Sequence, residues 1–320
     1  MSTKREHGSR FPRPDVAISN RIERLGEEAF AYLLLVPTFL LLLAIAMWPL
    51  AETFWMSLHS DDLTVYGVGE FIAIENYTAV ITGVRDPFIP QTFLIGIAVT
   101  LGFAFVSVAL ETIIGGAQAL VLDQEFRGRA WVRVAIILPW AVPIVIQGMM
   151  FYLMFAPGIG FATDPLQDLG VFSATPLSAT IDSLIIIIIA DVWKTSAFMA
   201  LIILAGLQSV DRSLYDVGRV AGATPWQRFK MITFPLILPA VLVAMLFRTL
   251  QAMQVYGVIV TISSCRTVPS LTCMVVHTFR SNRFATSATL AFITALIISI
   301  FIGIYLLKFV ESLREIGGDV

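Results

Sequence analysis

Six long apolar runs, at about 29–57, 92–122, 131–155, 180–207, 236–262 and 285–309, govern what this 320-residue chain can become. In lipid only a helix satisfies the backbone N–H and C=O groups of such a run. About 20 residues cross the hydrocarbon core, so the longer runs tilt or project beyond it. Even the β-branched stretch Ile185–Ile189, a mediocre helix former in water, is driven to helix there. Charged residues make up 14% of the chain, against roughly 25% in a soluble domain. The run from Ala29 is too long, and starts too far in, for a cleaved signal, so it reads as an uncleaved first span. The expected fold class is an all-α integral membrane protein with six transmembrane helices. Net charge is −2, which offers no basic face for nucleic acid.

Positive charge fixes the expected orientation. Fifteen Lys and Arg fall in the N-terminal tail, the second and fourth connections and the C-terminal end, against four in the alternate connections. That count predicts both termini and the loop 208–235 on the cytoplasmic side of the plasma membrane. The chain then divides into a tail (1–28), a six-helix domain (29–310) and a C-terminal tail (311–320). The N-terminal tail reads either as partly disordered or as an interfacial helix from Ile18 to Glu28. The first external loop, 58–91, has room for a short helix near Ile74–Ile81.

The loop 208–235 is long for a connection between spans, and its residues order into two short helices. Ser209 or Asp211 is placed to cap the first, in which Leu214, Val217 and Val220 share a face. Gly222 permits a sharp turn. Thr224 then caps a second helix with Pro225 in its first turn, and Trp226, Phe229 and Ile232 give that helix a bulky apolar side. Such a pair either packs on its own bundle or inserts into a soluble partner.

The segment Asp216-Val217-Gly218, then Gly222-Ala223, then Ile232-Thr233-Phe234-Pro235 resembles the cytoplasmic signature of permease subunits of binding-protein-dependent ABC importers, with Asp216 where the pattern has Glu and Gly218 where it has Ala. Phe71-Ile72-Ala73-Ile74-Glu75-Asn76-Tyr77, Leu138-Pro139-Trp140-Ala141-Val142-Pro143, Asp191-Val192-Trp193-Lys194-Thr195 and Leu246-Phe247-Arg248-Thr249-Leu250 extend the likeness to maltose- and trehalose-type sugar permeases. The resemblance implies the type I importer permease fold. It also implies a sister permease, two ATPase subunits that carry ATP and Mg, and an extracytoplasmic solute-binding protein. It makes Tyr215, Asp216, Val217, Gly218, Val220, Gly222, Ala223, Trp226 and Phe229 the ATPase-coupling residues. The chain has no Gly-Lys dipeptide, hence no phosphate-cradling Walker A loop, and no cofactor of its own is expected.

Ionisable groups in a span each cost about 2.5–3.5 kcal/mol on insertion scales and need a partner or a cavity. Asp191 and Lys194 lie three residues apart on one helix face and read as an internal ion pair or as a wall of the solute path. Glu111 reads as structural packing. Arg248, Gln251, Gln254 and Tyr256 bring hydrogen-bonding groups into the fifth span: amides suit sugar hydroxyls and a ring suits an apolar sugar face, whereas the alternative is interhelical bonding. Pro139 and Pro143 should kink the third span, and Gln147 and Phe151 follow as pocket candidates. Tyr152 fits an interfacial aromatic belt equally well. Cys265 and Cys273 form a disulfide or remain two thiols. No metal-ligand or nucleophile triad spacing is present, so the expectation is a transport subunit and no enzyme. Two other readings compete with sugar import: a permease for glycerol phosphate or a polyamine, and a stand-alone ion-coupled carrier or channel.

Overall fold

The computed structural model describes residues 26–64, 67–83 and 88–317. The tail 1–25, with most of the interfacial helix expected at 18–28, lies outside them. The chain forms two compact units, Met1–Trp55 and Met56–Val320.

The first unit is helical. α1 (Glu27–Leu42) passes through a π turn, Leu43–Met47, into α2 (Trp48–Ser57). Together they give one apolar span, Glu28–Ser57. Pro37 sits inside α1 without ending it, as lipid-embedded helices tolerate.

The second unit opens with a short antiparallel hairpin, β1 (His59–Asp61) on β2 (Val68–Phe71), with His59 opposite Phe71 and Asp61 opposite Val68. The sequence reading had no strand here. α3 (Glu75–Thr82) follows, close to the helix expected at 74–81. The buried amide of Asn76 donates to the carbonyls of Ser57 (2.9 Å) and His59 (2.6 Å), which ties α3 to the hairpin. Asp61 in turn accepts from the backbone N–H (3.0 Å) and hydroxyl (2.5 Å) of Thr286.

The bundle proper comprises α4 (Phe88–Asp123), α5 (Arg129–Ala141), α6 (Ile144–Phe155), α7 (Thr163–Asp168), α8 (Thr180–Gln208), α9 (Ser213–Val220), α10 (Pro225–Arg228), a π turn at Phe229–Thr233, α11 (Phe234–Ala252), α12 (Gly257–Ile262), α13 (Leu271–Arg280) and α14 (Phe284–Gly317). Among the described residues, five helices are long and apolar enough to cross a membrane, and six if α5 and α6 count as one broken span. α4 and α8 form the most extensive helix pair. Their close approach needs the absence of a side chain at Gly115, where a Cβ would lie 2.6 Å from Met199 Cβ and 2.8 Å from the Ser196 carbonyl; small residues at such contacts are how helices pack tightly in lipid. Phe103, Ile186, Ile187, Ile259 and Ile262 form the buried core. Phe105 and Ile113, on the other faces of α4, stay exposed, as a lipid-facing surface does.

Two expected spans are broken. The third bends by 94° between α5 and α6. Pro143 causes it, because Val142 must take an extended conformation before a proline; Pro139 stays inside α5. The fifth run, expected as one span over 236–262, stops at Ala252 and resumes at Gly257. The freed carbonyl of Val255 is satisfied by the buried hydroxyl of Ser270 at 2.8 Å.

Candidate functional site

The two breaks meet at a cavity of about 210 Å³. α4 supplies Phe103 and the first turn of α6 supplies Ile144 and Gln147. α8 supplies Asp191, Lys194 and Thr195, α11 supplies Arg248 and Gln251, and Gln254 and Tyr256 stand in the broken stretch before α12. Seven of the eight residues expected to bind solute therefore share one cavity. Phe151 does not. It lies one turn beyond Gln147 on the same face of α6 and is buried in the core with its ring centroid 5.9 Å from that of Trp193.

Within this set the roles differ from the sequence expectation. Arg248 is 3% exposed and Glu111 is fully buried. Arg248 Nε donates to Glu111 Oε2 at 2.5 Å, and its Nη2 donates to Glu111 Oε1 at 2.9 Å and to Asp191 Oδ2. The Thr195 hydroxyl, 2.7 Å from Glu111 Oε1, completes the arrangement. Arg248 is thus a strut joining α4, α8 and α11, and its guanidinium is spent on two carboxylates. Glu111, read as packing, is the centre of an ion cluster. The cue was available: a lone carboxyl in a span demands a partner, but nothing in the sequence said which one. The expected Asp191–Lys194 pair is likewise corrected. Asp191 turns to Arg248, and Lys194 Nζ donates to the carbonyl of Val142 at 2.8 Å, the group exposed by the α5–α6 break. Gln147 is buried and donates to the Ala190 carbonyl at 2.6 Å, fastening α6 to α8. Gln251 and Gln254 remain exposed and Tyr256 half-exposed, so these three retain polar and aromatic surface for a ligand.

The first expected helix and the turn occupy the loop 208–235; the second helix, from Pro225, is not separate but runs on through the π turn into α11. Asp211 accepts the backbone N–H of Ser213 at 2.9 Å at the entrance to α9. That bond, with the Ser213 hydroxyl, holds its carboxyl below the usual range. Ser209 does not cap; its hydroxyl donates back to Gly206. Arg212 makes a two-pronged pair with Asp123 at the end of α4, at 2.9 and 2.7 Å, which raises the guanidinium's pKa. α9 ends in a Schellman motif: Gly222 has φ +76°, its N–H reaches the Arg219 carbonyl at 3.0 Å, and Ala223 N–H reaches Gly218 O at 2.9 Å. Thr224 and Gln227 then form a capping box, with bonds of 2.8 and 3.3 Å, around Pro225. Tyr215 is fixed by its hydroxyl, 3.1 Å from that of Thr233. Gly218 leaves room for Ile232 and Arg228, which would lie 3.2 and 3.3 Å from a Cβ there. Asp216 pairs with Arg219 on the same exposed helix, a contact of small energetic weight. Phe229 stacks on Trp226 with centroids 5.5 Å apart. Val217, Val220 and Trp226 remain exposed, Val220 at 91%.

Cys265 and Cys273 are bridged, with Cα atoms 5.5 Å apart. The bridge borders a second cavity, of about 570 Å³, that includes Arg266, His277 and Arg283. Among the described residues no group of three or more His, Cys, Asp and Glu gathers as a metal site.

The sequence pattern of the family described as "Binding-protein-dependent transport system inner membrane component" matches residues 111–313. The trehalose/maltose transport system permease protein of Thermococcus litoralis is 37% identical over 233 residues, 73% of this chain and 76% of that protein. The trehalose transport system permease protein of Mycobacterium tuberculosis is 34% identical over 233 residues, covering 73% and 72%. The sulfoquinovosyl glycerol transport system permease protein of Agrobacterium fabrum is 36% identical over 234 residues, covering 73% and 74%. A chain from the crystal structure of a bacterial ABC transporter involved in the import of the acidic polysaccharide alginate superposes with a TM-score of 0.76 over 92% of this chain and 99% of its own, at 19% identity, which shows a shared fold. The match spans both broken helices, the helix–turn–helix loop and, Phe103 apart, the cavity residues: the chain belongs to the family of inner membrane permease components of binding-protein-dependent ABC transport systems.

Proposed function

We propose that this chain is the permease subunit of an ATP-driven importer that carries an uncharged sugar or oligosaccharide across the plasma membrane. It works with a sister permease, two ATPase subunits holding ATP and Mg, and an extracytoplasmic binding protein. The observation that carries the reading is the cavity between the two broken helices. Broken spans at a cavity are how transporters present polar groups within the bilayer. Here Gln251 and Gln254 supply amides and Tyr256 a ring, while the charged residues of the wall are engaged by protein partners. Phosphate would call for several free cations and a polyamine for free carboxylates; Arg248 and Asp191 are spent on each other. The names of the relatives point to sugars, two of them to trehalose. The exposed apolar residues Val217, Val220 and Trp226 are offered as the face that the ATPase clasps, with both termini and this loop cytoplasmic.

The test is purification of the chain from its native membrane in mild detergent, identification of what accompanies it, and reconstitution in liposomes with labelled trehalose and maltose. The expected result is a complex containing a second permease and an ATPase, with uptake that stops when ATP is withheld. A solitary chain that moves solute without nucleotide would overturn the reading in favour of a carrier or channel.

A further inference from the structure

A short helix beside the solute cavity is fixed at both ends by one loop. α12 has six residues, too few to hold its place by helical propagation. It follows directly on the broken stretch that brings Gln254 and Tyr256 to the cavity. Its near end is fixed through Val255, whose carbonyl accepts the Ser270 hydroxyl at 2.8 Å. Its far end, Ile262, leads into Cys265, which is bridged to Cys273. The two fixings meet, because the oxygen of the same Ser270 hydroxyl accepts the Cys273 N–H at 3.1 Å as the N-cap of α13. Bonds thus close a ring from Val255 through α12, Cys265, Cys273 and Ser270 back to Val255. The ring is anchored to the bundle: Leu271 N–H donates to the buried Thr100 hydroxyl of α4 at 3.0 Å, and the Ser263 hydroxyl donates to the Leu177 carbonyl at 2.6 Å. Ser270 is fully buried, whereas Cys265 is half-buried and borders the larger cavity beside exposed Arg266 and His277. One side of the ring therefore meets solvent and the other meets the solute cavity.

We infer that this ring is a positioning clamp: Ser270 and the Cys265–Cys273 bridge fix the place of Gln254 and Tyr256 in the cavity, and opening the bridge from the solvent side weakens solute binding. This rests on the cavity being the solute site, as proposed above. Neither Ser270 nor either cysteine is among the described residues that line that cavity, so the clamp acts through the broken stretch and not by touching solute. A dithiol opens the bridge by two exchanges. One thiolate attacks the Cys265 sulfur and forms a mixed disulfide, releasing the Cys273 thiolate, which takes up a proton. The second sulfur of the dithiol then displaces Cys265, so the reagent leaves as a cyclic disulfide and both cysteines end as thiols.

The experiment uses the intact transport complex in detergent. It compares the parent with Ser270→Ala, with Cys265→Ala plus Cys273→Ala, with Gln254→Ala plus Tyr256→Ala, and with this last pair carrying Ser270→Ala as well. Two readouts are taken with and without dithiothreitol: equilibrium binding of labelled trehalose and maltose, and hydrogen–deuterium exchange over 253–262. Ser270→Ala should raise the sugar dissociation constant about tenfold, equivalent to 1.4 kcal/mol and within the range of one lost hydrogen bond. It should also speed exchange over 253–262 while α8 exchanges as in the parent. Dithiothreitol should raise the constant of the parent about threefold, less than the serine variant because the Thr100 and Leu177 anchors remain. It should change nothing in the variant that lacks the cysteines. Where Gln254 and Tyr256 are already removed, Ser270→Ala should weaken binding by less than about twofold, since nothing is left for it to position. A full tenfold loss in that background overturns the inference, because Ser270 would then act on the fold at large. Unchanged exchange over 253–262 in Ser270→Ala overturns it too, as does parental binding indifferent to dithiothreitol. The solute reading fails separately, if the parent binds neither sugar or if the variant without Gln254 and Tyr256 binds as the parent does; the exchange pattern then still decides whether the clamp holds the break.

Discussion

Arg248 shows how much of the site lies in partner choice. Its position in a span marks it as a residue with a task, and an uncharged-amide neighbourhood one turn later makes solute contact an obvious assignment. Burial decides otherwise: with Glu111 fully inaccessible and both carboxylates bonded to it, Nε and Nη2 of the guanidinium are committed to protein partners. Breaking one member of a buried ion set costs about 3–5 kcal/mol, because the remaining charge is stranded, whereas removing a balanced pair is far less damaging. Arg248→Met should accordingly lower the thermal unfolding midpoint of the detergent-purified chain sharply. Adding Glu111→Gln should recover most of the loss, since Asp191 and Lys194 then balance. If the double variant melts as low as the single one, the cluster is not held together by charge and Arg248 stabilises through packing alone.

At the scale of elements, local chemistry was legible and tertiary breaks were not. The turn between α9 and α10 could be read from Gly222, Thr224 and Pro225 because each has one conformational use at that place, and all three are found in it. The bend at Pro143 was legible for the same reason. The break at 253–256 was hidden. No proline or glycine lies inside those four residues, and what makes the break possible is remote: the hydroxyl of Ser270, the N-cap of α13, which donates to the Val255 carbonyl fifteen residues back. The hairpin 59–71 was hidden too, since its strands are three and four residues long and its register depends on Asn76 and Thr286. The turn carries a prediction of its own. Gly222 sits at φ +76° and donates to Arg219. Proline fixes φ near −65° and has no N–H. Gly222→Pro should therefore abolish ATP-driven uptake while membrane insertion and the amount of chain stay normal, because the change lies in an exposed loop away from the bundle core. Uptake at the parental rate would remove α9 and α10 from the coupling path.

For the whole molecule, the apolar runs dictated helices, and family likeness set the arrangement; the proposed orientation rests on a different physical cause, the bias of Lys and Arg toward the cytoplasmic side. That bias is independent of the cavity and of the loop, so testing it tests the frame in which both are interpreted. Fifteen of the basic residues fall on one side and four on the other, and six of the fifteen precede the first span, where their influence on orientation is usually greatest. The disulfide between Cys265 and Cys273 agrees with this assignment, because it lies in a connection assigned to the outside and bridges persist on the oxidising side of a membrane. A fluorescent protein that matures only in the cytoplasm, fused after Val320, should glow. The same fusion truncated after Arg266 should stay dark, while alkaline phosphatase, active only outside, should be active at Arg266 and silent after Val320. The reverse pattern would place α9 and α10 outside the cell, beyond reach of any ATPase. The coupling proposal would then fall even if the cavity still bound sugar, since exposed Val217, Val220 and Trp226 would face a compartment without ATP.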